Sequence, residues 1–151
     1  MSDPTSNEFF EQIRDGVFTI VGKDVGDPGG YAHGYGVKIT FGTGERTKEH
    51  YEAQLIRGRV PGVIELEIGF HSEHPKVERN EAVLAVLAAH ETRWRKQLGP
   101  EAEAGAFFGN ERWRRISETW DQFDFRDADC AFEVTHRLAE YINAFEPLLD
   151  R

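Results

Sequence analysis

The sequence predicts an α+β fold: an antiparallel sheet of about four or five strands packed against a long central helix, with further helices near the two ends of the chain. Two observations carry this prediction. Gly62–Phe70 reads GVIELEIGF, the two-residue alternation of a half-buried strand. After His71-Ser72-Glu73-His74-Pro75 the apolar period becomes helical and holds as far as Leu98-Gly99-Pro100. A length of 151 residues suits a single domain, 1–151, with one core.

Taken in order, Thr5-Ser6-Asn7-Glu8 has the form of a capping box and predicts a helix after it. Phe9 or Phe10, Ile13, Val17 and Ile20 share one side of that helix. Phe18–Val21 is β-prone, so the helix could end as early as Gly16. Gly26-Asp27-Pro28-Gly29-Gly30 breaks the chain, and the Gly/Tyr stretch 29–36 reads as a mobile turn without the spacing of a dinucleotide fingerprint. Tyr35, Val37, Ile39 and Phe41 alternate with Gly36, Lys38 and Thr40 as a strand. The polar segment 45–61 leaves two choices open, a short helix around Lys48–Ile56 or a further strand. In the next strand Ile64, Leu66, Ile68 and Phe70 face the core, and Glu65, Glu67 and His71 face away.

Pro75 suits the first turn of the long helix, where a missing amide has no partner to lose. Its apolar stripe is Val83, Leu87, His90, Trp94 and Leu98. Its middle, Ala82–Ala89, is apolar all round, which demands cover from the sheet and the first helix or from a second subunit. Ala104–Phe108 and Glu111–Thr119 form a hairpin around Gly109-Asn110. Asp127 caps a last helix with Ala131, Val134, Leu138, Ile142 and Phe145 on one face and a Glu133–Arg137 pair on the other. Pro147 stops it.

Bulk properties narrow the class. Hydrophobic residues make up 39% and aromatic residues 12% of the chain, as in globular proteins. The longest apolar run, Ala82–Ala89, is far shorter than the roughly 20 residues of a membrane span. The opening MSDPTSNE shows no basic-then-apolar leader, and Cys130 is the only cysteine, so a cytoplasmic protein without disulfides and without a membrane is expected. The net charge of −9 is evenly spread: 7 basic and 12 acidic residues in 1–75 give −5, and 11 and 15 in 76–151 give −4. Such a field repels phosphate backbones at long range and argues against a stand-alone nucleic-acid binder.

Candidate chemistry gathers at a few places. His71, Glu73 and His74 offer imidazole and carboxylate donors for a divalent metal at a strand end, or else form a solvated turn. Known metal templates stop short: His90-Glu91 is followed by Trp94 where a zinc-protease helix needs histidine. His71-Ser72-Glu73 lacks the Pro-Cys-x-x-Cys of a zinc deaminase. His90 itself reads as a buried, hydrogen-bonded imidazole. Glu65 and Glu67 share a face, as catalytic carboxylates can, but a charge pair with Lys38 on a neighbouring strand explains them more simply. Arg93-Trp94-Arg95-Lys96 and Arg112-Trp113-Arg114-Arg115 concentrate basic and aromatic groups. Alternation puts Trp113 and Arg115 on one face of the hairpin, so Arg112, Trp113 and Arg115 are candidates for nucleic-acid contact or for packing and pairing with the abundant acids. Cys130, in the first turn of its helix, reads as structural.

From Val63 onward, V63-I-E-L-E-I68, the long helix, the Leu98-Gly99 stop, the hairpin carrying R112-W-R-R-I-S117 and the closing F145-E-P-L-L149 resemble an uncharacterised bacterial α+β family often appended to restriction-endonuclease-like modules. E8-F-F-E-Q12 resembles that family's first helix. The Gly-rich loop and the His71–His74 turn depart from it. The resemblance implies an accessory domain and transfers no functional residue. The same order of elements is similar to the secretion-chaperone class, which implies a homodimer around an extended client. The expectation is therefore a non-enzymatic interaction domain without a resident cofactor, homodimeric through the 76–98 helix or bound to another protein. The alternatives are a metal-dependent hydrolase or nuclease using the His71–His74 cluster, and a nucleic-acid-contacting subunit.

Overall fold

Six strands form one antiparallel sheet in the order β1-β2-β3-β4-β6-β5. The computed structural model describes residues 6–149. In chain order the elements are α1 (Ser6–Ile20), β1 (Pro28–His33), β2 (Gly36–Phe41), β3 (Glu49–Arg57), β4 (Ile64–Ser72), α2 (Val77–Ala88), α3 (Glu91–Leu98), β5 (Glu103–Phe107), β6 (Asn110–Trp120) and α4 (Ala128–Phe145). The capping residue Thr5 lies outside the described residues, while the helix expected after it is present and runs to Ile20.

The sheet exceeds the four or five strands expected because two ambiguous stretches both pair. The Gly/Tyr stretch is an edge strand, β1, in register with β2 from Pro28↔Phe41 to His33↔Gly36. Its glycines permit the approach: a Cβ on Gly30 would lie 1.9 Å from the Lys38 carbonyl oxygen. Segment 45–61 resolves into a single 3₁₀ turn at Gly44–Lys48 followed by β3, whose nine residues pair with β4 from Glu49↔Ser72 to Arg57↔Ile64. In β3, Tyr51 and Ala53 face the core while His50, Glu52 and Gln54 face the other way, a strand period that outweighs its polar composition.

The long helix is two helices. It breaks at Ala89-His90, where His90 leaves the helical region at φ −115 and ψ 19. The Leu87 carbonyl accepts from the His90 amide at 3.0 Å and from the Trp94 indole N–H at 2.8 Å, the bonds of a tightened turn. Val83, Leu87, Trp94 and Leu98 are buried as expected, but His90 is exposed and not part of the buried stripe. Nor is this segment central. α1 packs on α4 and on the strands β1 and β2, α4 also covers β3 and β4, α2 lies along β6, and α3 lies against α4. Ala82, Ala85, Val86, Ala88 and Ala89 face solvent.

One face of the sheet and the helices above it make the hydrophobic core. Val37, Ile39, Tyr51, Leu66, Ile68, Phe70 and Ile116 meet Phe9, Phe10, Ile13, Val134, Leu138, Ile142 and Phe145 there. An edge-to-face chain runs from Trp94 through Phe145 and Phe70 to Tyr51, with centroids 5.3, 5.8 and 5.4 Å apart. Each such side chain stabilises by about 1.5–3 kcal/mol of apolar burial. Asp127 caps α4 as expected, accepting from the Asp129 amide at 2.9 Å. Arg137 does not turn to Glu133. It reaches the buried Glu118 of β6 at 2.7 Å, which also accepts from the Tyr141 hydroxyl at 2.8 Å. No helix among the described residues is long and apolar enough to cross a membrane.

Candidate metal centre

The opposite face of the sheet is buried too, and it is lined with charge. Glu65, Glu67, His71, His50 and Glu52 are each between 0% and 8% exposed, so the expectation that Glu65, Glu67 and His71 face water is corrected. Phe107, at the end of β5, packs edge-on over His71 with its centroid 4.9 Å away and also touches Trp113, so the β5–β6 hairpin roofs the polar face.

Strand geometry brings the groups together. His50 and His71 are directly opposite one another on β3 and β4, with ring centroids 5.7 Å apart. Glu52 stands opposite Gly69, two residues before His71. Glu73 follows the end of β4, its amide tied to the Lys48 carbonyl at 2.8 Å, which turns its carboxylate back to the same point. The four donor atoms form a closed ring of alternating base and acid. His50 Nε2 is 2.7 Å from Glu52 Oε1, which is 3.3 Å from His71 Nδ1; that atom is 3.1 Å from Glu73 Oε2, which is 3.4 Å from His50 Nε2. All four lie within 4.8 Å of one another. Such edges are close to the spacing of donor atoms that share one ion at the roughly 2.0–2.2 Å of zinc–nitrogen and zinc–carboxylate bonds.

The outward nitrogens of both rings are engaged. His50 Nδ1 is 2.9 Å from the Thr47 carbonyl oxygen, an acceptor only, so it carries the proton and leaves the Nε2 lone pair for the centre. His71 Nε2 is 2.9 Å from Glu67 Oε2, which assigns its proton outward in the same way. Glu67 is itself held by the Ser117 hydroxyl at 2.6 Å and the Gln54 amide at 2.8 Å. Carboxylate or carbonyl acceptors behind ligating imidazoles are the usual outer support of metal sites, fixing tautomer and ring orientation. Glu67 and His71 meet although they stand four residues apart on one strand, about 13 Å along it. They lean together over Gly69, the residue between them on that face. A Cβ on Gly69 would lie 2.5 Å from the Ile116 carbonyl oxygen and 2.6 Å from the Ser117 Cα, so no larger residue fits.

Without an ion, protons hold the ring together. Burial opposes charge on His71, but the Glu67 and Glu52 carboxylates outweigh it and raise its pKa well above the imidazole range. His50 is raised in the same way by Glu52 and Glu73 against its burial. Burial likewise opposes the ionised form of Glu52, which His71 and His50 nevertheless hold well below the usual carboxylate value. Against the same penalty the two histidines lower Glu73 to about 2. A divalent ion would replace the two ring protons at nearly unchanged charge.

Two residues of the ring, His50 and Glu73, also line a cleft of about 480 Å³. Lys38, Lys48, Thr40, Thr47, Tyr31 and Trp113 line the rest of its wall. Lys38 Nζ lies 3.7 Å from Glu52 Oε1, so Lys38 pairs with a carboxylate of β3 and not with Glu65 or Glu67 of β4.

Of the three residues singled out as metal donors, the ring contains His71 and Glu73. His74 points elsewhere, 2.7 Å from Glu49 Oε2. Its backbone is stapled by Asn80, which accepts from the His74 amide and donates to the His74 and Arg112 carbonyls. Glu65 is clamped by Arg59 at 2.6 and 2.8 Å. The basic hairpin residues separate: Arg112 is exposed, Trp113 joins the cleft wall, and Arg115 is 6% exposed, bonded to the Ser117 hydroxyl at 2.8 Å and stacked 3.9 Å from the Phe108 ring. Cys130 Sγ accepts from the Asp124 amide at 3.4 Å, and burial raises its pKa. His50 and Glu52 were missed because segment 45–61 had no assigned period. The signal was present as H50-Y-E-A-Q54, with alternate residues able to share the face of Glu67 and His71.

Comparisons of this chain with protein-family models, with curated proteins and with solved structures find no match to any of them.

Proposed function

We propose that this protein is a divalent-metal-dependent hydrolase whose ion is held by His50, Glu52, His71 and Glu73. The observation that carries the reading is the ring itself: four donors at ligand spacing with the outward nitrogen of each imidazole already bonded. Two imidazoles and two carboxylates suit borderline first-row ions such as zinc, manganese, iron or cobalt. Structural sites are closed, whereas catalytic sites keep a position for water or substrate. Here the ring borders a cleft on one side. The core on the other face of the sheet is complete without an ion, so the site has no folding role to fill. The bound ion would supply a polarised oxygen and a water of lowered pKa. The chain's own part is to orient the imidazoles through Thr47 and Glu67, exclude bulk water beneath Phe107, and leave the cleft side open.

Metal analysis of untagged full-length protein tests this, with calorimetric titration of zinc and manganese into chelator-treated samples. Near-stoichiometric uptake is expected in the wild type, with at least a tenfold loss in His50→Ala and His71→Ala. Absence of uptake by correctly folded wild-type protein sinks the proposal.

A second reading, the homodimeric interaction domain, is favoured by one observation: Ala82, Ala85, Val86 and Ala89 leave an uncovered apolar side on α2. Sedimentation at micromolar concentration decides it, and a monomer removes it.

A further inference from the structure

Resting on the metal reading, we infer that the cleft beside the ring takes a phosphate monoester carrying a flat organic group. The phosphate would sit between the ring and the two lysines, and the flat group against Trp113 and Tyr31.

Charge selects the phosphate. The chain has a net charge of −9, yet the ring-side wall of this cleft presents Lys38 and Lys48. A divalent ion with Lys38 and Lys48 outweighs Glu52, Glu73 and Glu67 by one positive charge, and the two ammonium groups put that surplus at the mouth. Glu67, the remaining carboxylate, is fully buried behind His71 and bonded to Gln54, Ser117 and His71. A tetrahedral oxyanion suits that surplus, and the Thr40 hydroxyl stands in the wall as a donor, whereas the Thr47 hydroxyl is spent on the Gly44 carbonyl at 2.6 Å. Lys38 is already anchored, its ammonium near Glu52 and 5.9 Å from the Tyr31 ring centroid, so little rotamer freedom is lost when it binds.

Shape selects the ester. Bare phosphate fills a small part of about 480 Å³, a volume in the range of sites for small organic ligands. The far wall is aromatic. Tyr31 is 53% exposed beside the His33 ring at 5.9 Å, and Trp113 is half-buried with its ring centroid 5.7 Å from that of Phe107. Partly exposed aromatic rings stack flat groups with little regard for their identity. A nucleic-acid strand fits worse, because the chain as a whole carries a net charge of −9 and repels a long phosphate backbone.

Titration calorimetry on zinc-loaded and on chelator-treated full-length protein tests this, with inorganic phosphate, adenosine monophosphate, adenosine and a single-stranded oligonucleotide as probes. Phosphate and the nucleotide are expected to bind only the zinc-loaded protein, the nucleotide at least about tenfold more tightly. Lys38→Met with Lys48→Met should weaken both by at least about tenfold, and Lys48→Met, which leaves the Lys38–Glu52 pair in place, should keep zinc affinity within about twofold. Lys48 is exposed, so Lys48→Met alone should fold normally and show part of the loss. Zinc uptake without phosphate binding, or binding unchanged in the lysine variants, overturns this inference and leaves the metal site standing. Adenosine binding as tightly as the nucleotide, or preference for the oligonucleotide, also overturns it. Failure to take up zinc overturns both.

Discussion

The two faces of one sheet solve burial in opposite ways. On the face beneath α1 and α4, Leu66, Ile68 and Phe70 of β4 are sealed by apolar contact, and no geometry finer than shape complementarity is required. On the other face, one residue along in the same strand, Glu67 and His71 are just as deeply buried, and each carboxylate oxygen and ring nitrogen has a named partner. Burial of charge is costly unless pairing is complete. A protein that puts five ionisable groups at one buried spot, when alternation could have left them wet, places chemistry there. That contrast separates scaffold from site.

The largest test of the contrast is Phe70→Ala. It should destabilise by about 3–5 kcal/mol through lost burial and a cavity, read as a large drop in denaturant midpoint, with the metal site lost only as the fold is lost. If instead the midpoint barely moves, the helix-covered face is not the source of stability.

Next comes metal addition. Zinc at a hundredfold over its dissociation constant should stabilise the wild type by about 2.7 kcal/mol, raising Tm by about 5–10 °C, and should leave His71→Ala unmoved. An equal rise in both proteins would place the ion elsewhere.

Glu67→Gln keeps size and shape on the polar face but removes the charge behind His71. It should weaken zinc binding by about 10–100-fold with a smaller effect on folding. A wild-type affinity would show that Glu67 is packing and not outer support.

The smallest expected effect is the pH dependence of the metal-free protein. His71 and His50 have raised folded pKa values, so their contribution is complete below about 6.5 and is lost as pH climbs through those raised values. Glu73 is lowered to about 2, so its contribution is present above about 4.5 and is lost as pH falls toward 2. Chemical denaturation across pH should show a broad maximum between about 4.5 and 6.5. Zinc-loaded protein should instead keep gaining stability as pH rises past 6.5, because the ion replaces the ring protons. Identical profiles would deny the exchange of metal for protons.

Much of this architecture was legible in the chain. The strand over Ile64–Phe70, the hairpin around Gly109-Asn110 and the Asp127 cap all appear where local pattern puts them, although Ile64, expected in the core, is exposed. The one long helix became two because a side chain, the Trp94 indole, takes the Leu87 carbonyl at the break, and helical period contains no record of that contact. The Gly/Tyr stretch became a strand because pairing with β2 rewards its glycines, a partner effect invisible to local propensity. In the site, His71 and Glu73 drew notice as neighbours in sequence, whereas His50 and Glu52 lie about twenty residues upstream.

The sequence by itself determined the class of the protein, an acidic α+β chain with an alternating strand and a strong closing helix, because periodicity and capping are local properties. Only the tertiary structure decided that the polar side of that strand is interior. Strand register sets which residues stand opposite one another, and the β5–β6 hairpin sets whether water reaches them. Both are long-range choices. Through them His50, Glu52, His71 and Glu73 share one point in space, and two pairs of unremarkable residues become a single set of donors.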